Sequence, residues 1–463
     1  MDNDVTFIIL GATGDLAKRK LIPAIYRLVK EQKIGKFALL AVARREMTID
    51  SILESARPFL EEVDTATWNK LKEAAHYEAV DFNVSENFKK LKTALLTLEQ
   101  GHQLSGNRLF YLATLPENFH FITLNLAKYG LISPRKNKKN SWSRIVYEKP
   151  FGYDLASARR INAGIRRVFA EEQVYRIDHY LGKELVGNIA LVRFTNRILE
   201  PLWTRDHLES VQIILSEKIG LEGRGEYYDR YGALKDVVQS HLLQILALIA
   251  MEVPVKLSKD FIRHEKVKVL KRVKVRDVFL GQYRGYQQEE GVVKNSLTET
   301  FAALRLEINN PRWRDVPFFL STGKNLQKKE TKVVLKFKMI DCLLLNHCPT
   351  DSNYFEIRIE PNEGISLEMN VKVPGEIYNI TPVKLDFYHR VVFGPNTPKA
   401  YEVLLQHVVE GDQSIFVRND EIEYSWKIID KVKKEPVFSY TPGSNGPPEL
   451  IAWSKRNGVR WRI

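Results

Sequence analysis

Val5-Thr6-Phe7-Ile8-Ile9-Leu10-Gly11-Ala12-Thr13-Gly14-Asp15-Leu16-Ala17 runs from an apolar segment through a glycine turn into a helical pattern. The segment up to Leu10 is short and, Thr6 apart, apolar, which fits a strand buried on both faces of a parallel sheet. Leu21, Ile25 and Leu28 then recur at helical spacing. Glycines at a strand-to-helix turn let the backbone approach a pyrophosphate, whose charge meets the helix N-terminus. Ala17 is small enough for the helix to pack closely on the strand. The pattern is GxxGxxA and not GxGxxG, so the strand and helix on either side carry the dinucleotide reading. Gly11, Gly14, Asp15 and Leu16 line that turn.

Outward from this turn, Phe37–Ala43 is a second strand candidate, ending at Arg44-Arg45. A fold that selects NAD places a carboxylate at the end of this strand for the ribose 2′-hydroxyl. Two guanidinium groups suit a 2′-phosphate instead, by charge and by their forked donors, which favours NADP with NAD still possible. A helix near Ile49–Leu60, a strand around Tyr77–Phe82, a helix from Glu86 to Leu98, and strands at Arg108–Ala113 and Arg144–Glu148 follow. This alternation predicts an α/β, Rossmann-like, doubly wound parallel sheet over residues 1–177. Glu148-Lys149-Pro150-Phe151-Gly152 stands where open α/β sheets hold ligands, at a strand's C-terminal end. Lys149 there could reach both cofactor and substrate. Ser133–Asn140 reads as a solvated basic loop without a site.

Residues 178–463 read as a separate α+β domain. Val333 onward alternates strictly, as in Phe355, Ile357 and Ile359, then Ile365, Leu367, Met369 and Val371, then Val383, Leu385 and Phe387. With Ser210–Ser216 and Phe301–Ile308, this predicts a large, mainly antiparallel sheet with one face buried and the other open to water or a partner subunit. Lys266–Arg276 is basic, fits neither period, and reads as a solvated face. Gly232–Met251 is apolar on most sides and reads as a buried helix carrying two polar exceptions, Asp236 and His241. At ~3.6 residues per turn these two lie about 140° apart, so a carboxylate orienting His241 comes from another segment. Arg176-Ile177-Asp178-His179-Tyr180-Leu181-Gly182-Lys183 offers one. If this stretch is a helical turn, His179 and Lys183 share a face as a cationic pair for an anion, and Asp178 points about 100° away, toward a partner elsewhere.

Seventy Lys+Arg against 57 Asp+Glu give a net charge of +13 over 463 residues, which favours anionic partners without choosing among them. The positive residues are scattered, with no basic groove interleaved with aromatics, so no nucleic-acid partner is expected. The length calls for at least two domains. Cys342 and Cys348 allow one disulfide or two thiols; with His347 they form no zinc spacing, and no metal is expected. The acidic Met1-Asp2-Asn3-Asp4 and the short apolar run behind it do not make a signal peptide, and no apolar run approaches the ~20 residues of a membrane helix. A cytoplasmic protein without membrane contact is expected.

Gly11–Leu21, Glu148–Gly152 and Arg176–Lys183 resemble, in order, the signature strings of the glucose-6-phosphate dehydrogenase family. Glu217–Tyr228, Asp236 with His241, Phe301–Ile308 and Ser321–Lys329 extend the resemblance to nearly the whole chain. It implies oxidation of D-glucose 6-phosphate to 6-phospho-D-glucono-1,5-lactone with NADP, the first step of the oxidative pentose phosphate pathway. It implies His241 as general base and Asp178 as its partner, with His179, Tyr180 and Lys183 on the 6-phosphate. It implies Glu217 and Asp236 on sugar hydroxyls, Lys324 and Lys329 on the substrate side, and Lys20 and Lys149 between substrate and cofactor. Thr13, Arg44 and Asp81 match cofactor contacts. The family forms dimers on the large sheet, so a homodimer or a dimer of dimers is implied. Ser240, Gly187 and Thr204 depart from the usual Asn, Gln and Asn, which bears on rate and selectivity more than on reaction type. A related sugar dehydrogenase with another hexose or dual cofactor use is the alternative. Eukaryotic members carry a second, structural NADP site, for which no residues here are assigned.

Overall fold

A computed structural model describes residues 4–132, 141–339, 351–376, 379–394, 398–433 and 435–463. Met1 to Asn3, the basic stretch Ser133–Asn140, and Cys342, His347 and Cys348 lie outside the described residues. Strands β1 (Val5–Leu10), β2 (Phe37–Ala43), β3 (Ala75–Ala79), β4 (Arg108–Leu112), β5 (Ser143–Tyr147) and β6 (Val174–Arg176) form a six-stranded sheet in the order β3-β2-β1-β4-β5-β6. All its pairings are parallel. Every residue of β1 and β2 is buried, as continuous apolar strands covered on both faces require. Successive residues feed opposite cores. Phe7, Ile9, Leu39 and Tyr111 pack with the helix Ile22–Lys30, while Ile8, Leu10, Leu40 and Phe110 pack with Phe88, Leu91, Phe119 and Ile122. The third strand lies earlier than Tyr77–Phe82, and β6 is too short to show a period.

The first compact unit comprises residues 1–182, 257–263 and 398–423, and the second the remainder. A simple boundary at 177/178 therefore differs from the structure. The helix Ala400–Glu410 explains the difference: Leu404, Leu405, Val408 and Val409, with Phe416, belong to the core on the Ile22–Lys30 side of the sheet. Arg144 closes this helix, its Nη1 donating to the carbonyls of Val408 and Val409 at 2.6 Å each while its guanidinium lies 3.8 Å from the Trp142 ring centre.

In the second unit, strands β7 (Leu208–Ser216), β8 (Val273–Tyr283), β9 (Phe301–Ile308), β10 (Phe318–Gly323), β11 (Glu330–Phe337), β12 (Tyr354–Glu360), β13 (Gly364–Lys372), β14 (Ile380–Tyr388) and β15 (Val437–Tyr440) form one sheet. Their order is β14-β13-β12-β11-β7-β10-β9-β8-β15, antiparallel except for the pairs β7–β10 and β8–β15. The ends of β7, β10 and β12 and the starts of β9 and β11 consequently share one edge. Phe355, Ile357 and Ile359 are buried on β12, but the apolar face runs out uncovered toward β14, where Met369, Val371 and Leu385 are 37%, 38% and 54% exposed.

Two expectations change here. Lys266–Arg276 fits no period because it crosses from the helix Lys259–Leu270 into β8, and Lys266 is buried, not solvated. The segment Gly225–Ala250, kinked at Gly232, is also long and apolar enough to cross a membrane; 78% of its apolar window is buried inside the protein, which makes it a core segment. Leu404→Ala should lower stability by about 2–5 kcal/mol through the lost packing and the cavity left behind. Urea unfolding checks this, and a loss below ~1 kcal/mol would place Leu404 outside the core of the first unit.

Candidate active site

In the first unit the expected residues follow C-terminal strand ends: Gly11 to Leu16 after β1, Arg44 after β2, Asp81 after β3, Lys149 after β5, and Asp178 to Tyr180 after β6. Gly11 has φ +105°, and a Cβ there would lie 2.4 Å from the Ala113 carbonyl oxygen, so only glycine fits. The N–H groups of Gly11 and Ala12 donate to the Val42 carbonyl at 2.8 and 3.0 Å, tying the turn to the end of β2. The chain is helical from Asp15, with a π-helical turn at Ala17–Leu21 before Ile22–Lys30. Thr13, Asp15 and Lys20 are exposed, and Asp15 meets Arg19 at 2.7 Å. Arg44 and Arg45 are exposed at the end of β2, where the Tyr77 hydroxyl donates to the Arg45 carbonyl. A glycine turn at a helix start fits the pyrophosphate of a nicotinamide dinucleotide. Asp81 has a local duty as well: its Oδ1 accepts from the Asn83 backbone N–H and Nδ2 at 3.0 and 3.1 Å, closing a turn.

Beside Lys149, the Glu148 carboxylate accepts from the hydroxyls of Tyr111 and Tyr401 at 2.5 and 3.1 Å. Burial raises the Glu148 pKa, outweighing those two hydrogen bonds and the Lys149 charge. The stretch after β6 is not a helical turn. Arg176 ends the strand, fully buried against Glu171 at 2.6 Å, and the helix starts only at Glu184. Between them the Asp178 carboxylate accepts the Tyr180 N–H at 3.0 Å and the Asp178 carbonyl accepts the Leu181 N–H at 2.9 Å. This side-chain-supported turn competes with helix, so the helical spacing of His179 and Lys183 does not apply. Asp178 and Tyr180 are buried, and the His179 ring lies 4.9 Å from that of Tyr180.

In the second unit, Glu217 follows β7 and Lys324 follows β10, and their side chains meet at 2.6 Å. Lys183, the residue before its helix, meets Glu360 at 2.6 Å, and Lys329 meets the other oxygen of Glu360 at 3.5 Å. The structure thus brings Lys183, expected on the 6-phosphate, together with Lys329, expected on the substrate side, through a carboxylate that no local motif singled out. Burial lowers the Lys183 pKa despite the Glu360 attraction. Asp236 and His241 are both buried on Leu234–Leu242, which is π-helical. Bonds from i to i+5 align residues five apart as i and i+4 align in an α-helix, so the expected separation of about 140° does not hold. Asp236 accepts from the Tyr227 hydroxyl at 3.0 Å, and Ser240, at one departure position, bonds back to the Asp236 carbonyl at 2.7 Å.

Glu360, Tyr227, Tyr111 and Tyr401 went unforeseen because each is defined by contact with a distant residue, not by local spacing. Glu217→Ala leaves the buried Lys324 ammonium uncompensated and should cost about 3–5 kcal/mol, of which adding Lys324→Met should restore part. Urea unfolding of the single and double variants tests the pair; equal losses in both would contradict it.

Residues 8–188 match the family model for the glucose-6-phosphate dehydrogenase NAD binding domain, and residues 190–462 match that for the C-terminal domain. The glucose-6-phosphate 1-dehydrogenase of Chlamydia muridarum is 39% identical over 486 residues, covering 98% of this chain and 96% of that protein. The Bacillus subtilis glucose-6-phosphate 1-dehydrogenase is 39% identical over 480 residues, covering 98% and 97%. A solved structure of a glucose-6-phosphate dehydrogenase in complex with its substrate glucose-6-phosphate superposes with a TM-score of 0.91 at 32% identity, covering 99% of this chain and 98% of that one. Matched through both of its domains, this chain belongs to the glucose-6-phosphate dehydrogenase family.

Proposed function

We propose that this chain oxidises D-glucose 6-phosphate at C1 to 6-phospho-D-glucono-1,5-lactone, with NADP as acceptor and His241 as general base. The full-length family match carries the reading. A nicotinamide dinucleotide held at the Gly11–Leu16 turn would supply the carbon that accepts the hydride. The neutral imidazole of His241 takes the proton from the C1 hydroxyl as the C1–H bond gives up its electron pair, leaving a carbonyl at C1. General-base catalysis by a positioned imidazole is typically worth about 10²–10⁴-fold. Asp178 orients the imidazole and stabilises the imidazolium without taking its proton.

His179, Tyr180 and Lys183 hold the 6-phosphate, and Lys329 supports them. Burial disfavours the Lys183 charge even beside Glu360, and the phosphate adds a further anionic partner there. Glu217, Asp236 and Lys324 hold the sugar hydroxyls, and binding energy spent there orients C1. Gly11, Thr13, Gly14, Asp15 and Leu16 form the pyrophosphate turn, with Lys20, Lys149 and Asp81 beside it and Arg44 on the 2′-phosphate. The apolar face left uncovered on β13 and β14 supports a homodimer built on the large sheet. A cytoplasmic setting is part of the same reading.

Steady-state turnover of glucose 6-phosphate with NADP and with NAD tests the activity; no hydride transfer with either cofactor would sink it. In that assay His241→Asn should lower kcat at least ~10²-fold with little change in binding. Asp178→Asn should lower kcat too, while Lys183→Ala and Asp236→Asn should act mainly on the sugar KM. Arg44→Ala should weaken NADP selectively by about 1.5–3 kcal/mol, as loss of a charged hydrogen bond does. Equal losses for NAD and NADP would remove the 2′-phosphate contact.

A further inference from the structure

We propose that Glu299 is a positioning residue for this oxidation, its carboxylate anchoring the first turn of the helix that carries Asp236 and His241. The inference rests on the reading of His241 as base, and the geometry behind it lies within the second unit. The helix Gly225–Ala233 breaks at Gly232, whose φ of +61° and ψ of −178° belong to glycine alone. The helix bearing His241 therefore starts afresh at Leu234, and no side chain of its own caps it. Two backbone donors at that start are satisfied by one residue 65 positions away. The Leu234 N–H donates to Glu299 Oε1 at 3.0 Å, and the Ala233 N–H donates to the Glu299 carbonyl at 3.0 Å. The kink and the carboxylate are mutually fitted: a Cβ on Gly232 would lie 2.4 Å from Glu299 Oε1.

The neighbours of Glu299 carry the tie onward. Thr298 Oγ1 donates to the Asp229 carbonyl at 2.8 Å, fixing the preceding helix. The Thr300 carbonyl accepts the Lys324 N–H at 3.0 Å, and the Tyr440 hydroxyl, 3.0 Å from Thr300 Oγ1, donates to the Lys324 carbonyl at 2.6 Å. Residues 298–300 thus connect the start of the His241 helix to the strand end that presents Lys324 and, through it, Glu217. Burial pushes the Glu299 carboxyl up to about 6 against the amide of Leu234 and the charge of Lys235. A helix start can be capped at less cost by an adjacent Ser or Asn. A buried carboxylate brought from a distant segment adds what a local cap lacks, which is a fixed relation between this helix and the sheet edge.

A small displacement of a base costs rate more than affinity, about 10²-fold for ~1 Å. In the full-length protein, Glu299→Met, similar in size without the acceptor, should lower kcat at least ~10-fold and change the glucose 6-phosphate KM less than ~3-fold. Glu299→Gln keeps an acceptor at the same reach and should return kcat to within ~3-fold of wild type. Should Glu299→Met fail to fold, Glu299→Asp, one methylene shorter, is expected to show the same fall in kcat. A folded Met or Asp variant with unchanged kcat, or a Gln variant as slow as Met, overturns the proposal. His241→Asn is assayed alongside. If it keeps normal turnover, the reading of the base fails and this inference falls with it; if it is inactive while Glu299→Met turns over normally, only the role of Glu299 is overturned.

Discussion

β1 is held by parallel partners on both sides, Leu10 standing opposite Val42 on β2 and Leu112 on β4. Because the strand order reverses at β1, the connections leaving it and β4 depart to opposite faces and open a crevice at their C-terminal ends. The placement of the first unit's expected residues depends on that backbone arrangement. Six strands running one way deliver the glycine turn, the arginine pair, Asp81, Lys149 and the Asp178–Tyr180 turn to a single edge. Gly11 is where the chain leaves the sheet, and the close approach of Ala113 on the neighbouring connection decides that no side chain can stand there. The second unit reaches a similar end with a mixed sheet. Its β7–β10 parallel pair and flanking antiparallel strands bring Glu217, Lys324, Lys329, Glu360 and Glu299 to one edge.

Burial at these edges creates a second constraint. Taking a lysine or carboxylate out of water costs more than one partner readily returns, so each such group needs its counterpart close by. Lys324 has Glu217 and Lys183 has Glu360, both at 2.6 Å, while Glu148 is held by two tyrosine hydroxyls. For Lys183 and Glu148 desolvation still prevails over the partners, lowering the one pKa and raising the other. Groups kept in this state respond strongly to a new charge, because little water is present to screen it. A dianionic ligand at Lys183 would therefore be felt far more than at the exposed Lys329.

The parts of the fold written in local pattern could be read directly. β1, β2 and β9 fall where their apolar runs place them, and the glycine turn sits between a strand and a helix. What escaped was set by distant contact. The helix Ala400–Glu410 joins the first unit through Leu404, Val408 and the Arg144 cap, and no feature of residues 398–423 announces that destination. Lys266–Arg276 had no period because two kinds of element meet inside it. Arg176–Lys183 contains the expected chemistry in an unexpected conformation, since the Asp178 side chain offers the backbone a turn that a spacing argument does not weigh. Its first residue, Arg176, serves structure, buried against Glu171 while its carbonyl accepts the Val417 N–H.

The π-helical winding of Leu234–Leu242 changes the argument about the two carboxylates. With α-helical geometry, five-residue spacing excluded Asp236 as a partner of His241 and left Asp178 by elimination. With i to i+5 bonding the exclusion disappears, because residues five apart stack along one face. The proposal of Asp178 as that partner then rests on the match of its motif, while Asp236 has a hydroxyl partner nearby. Its Oδ1 is engaged by the Tyr227 hydroxyl, whose pKa burial raises first and the Asp236 charge second, so that hydroxyl remains a donor across the working pH range. A carboxylate held in this way keeps a fixed direction. The placement of His241 on that winding depends on where the helix begins. Gly232 and Glu299 set that beginning.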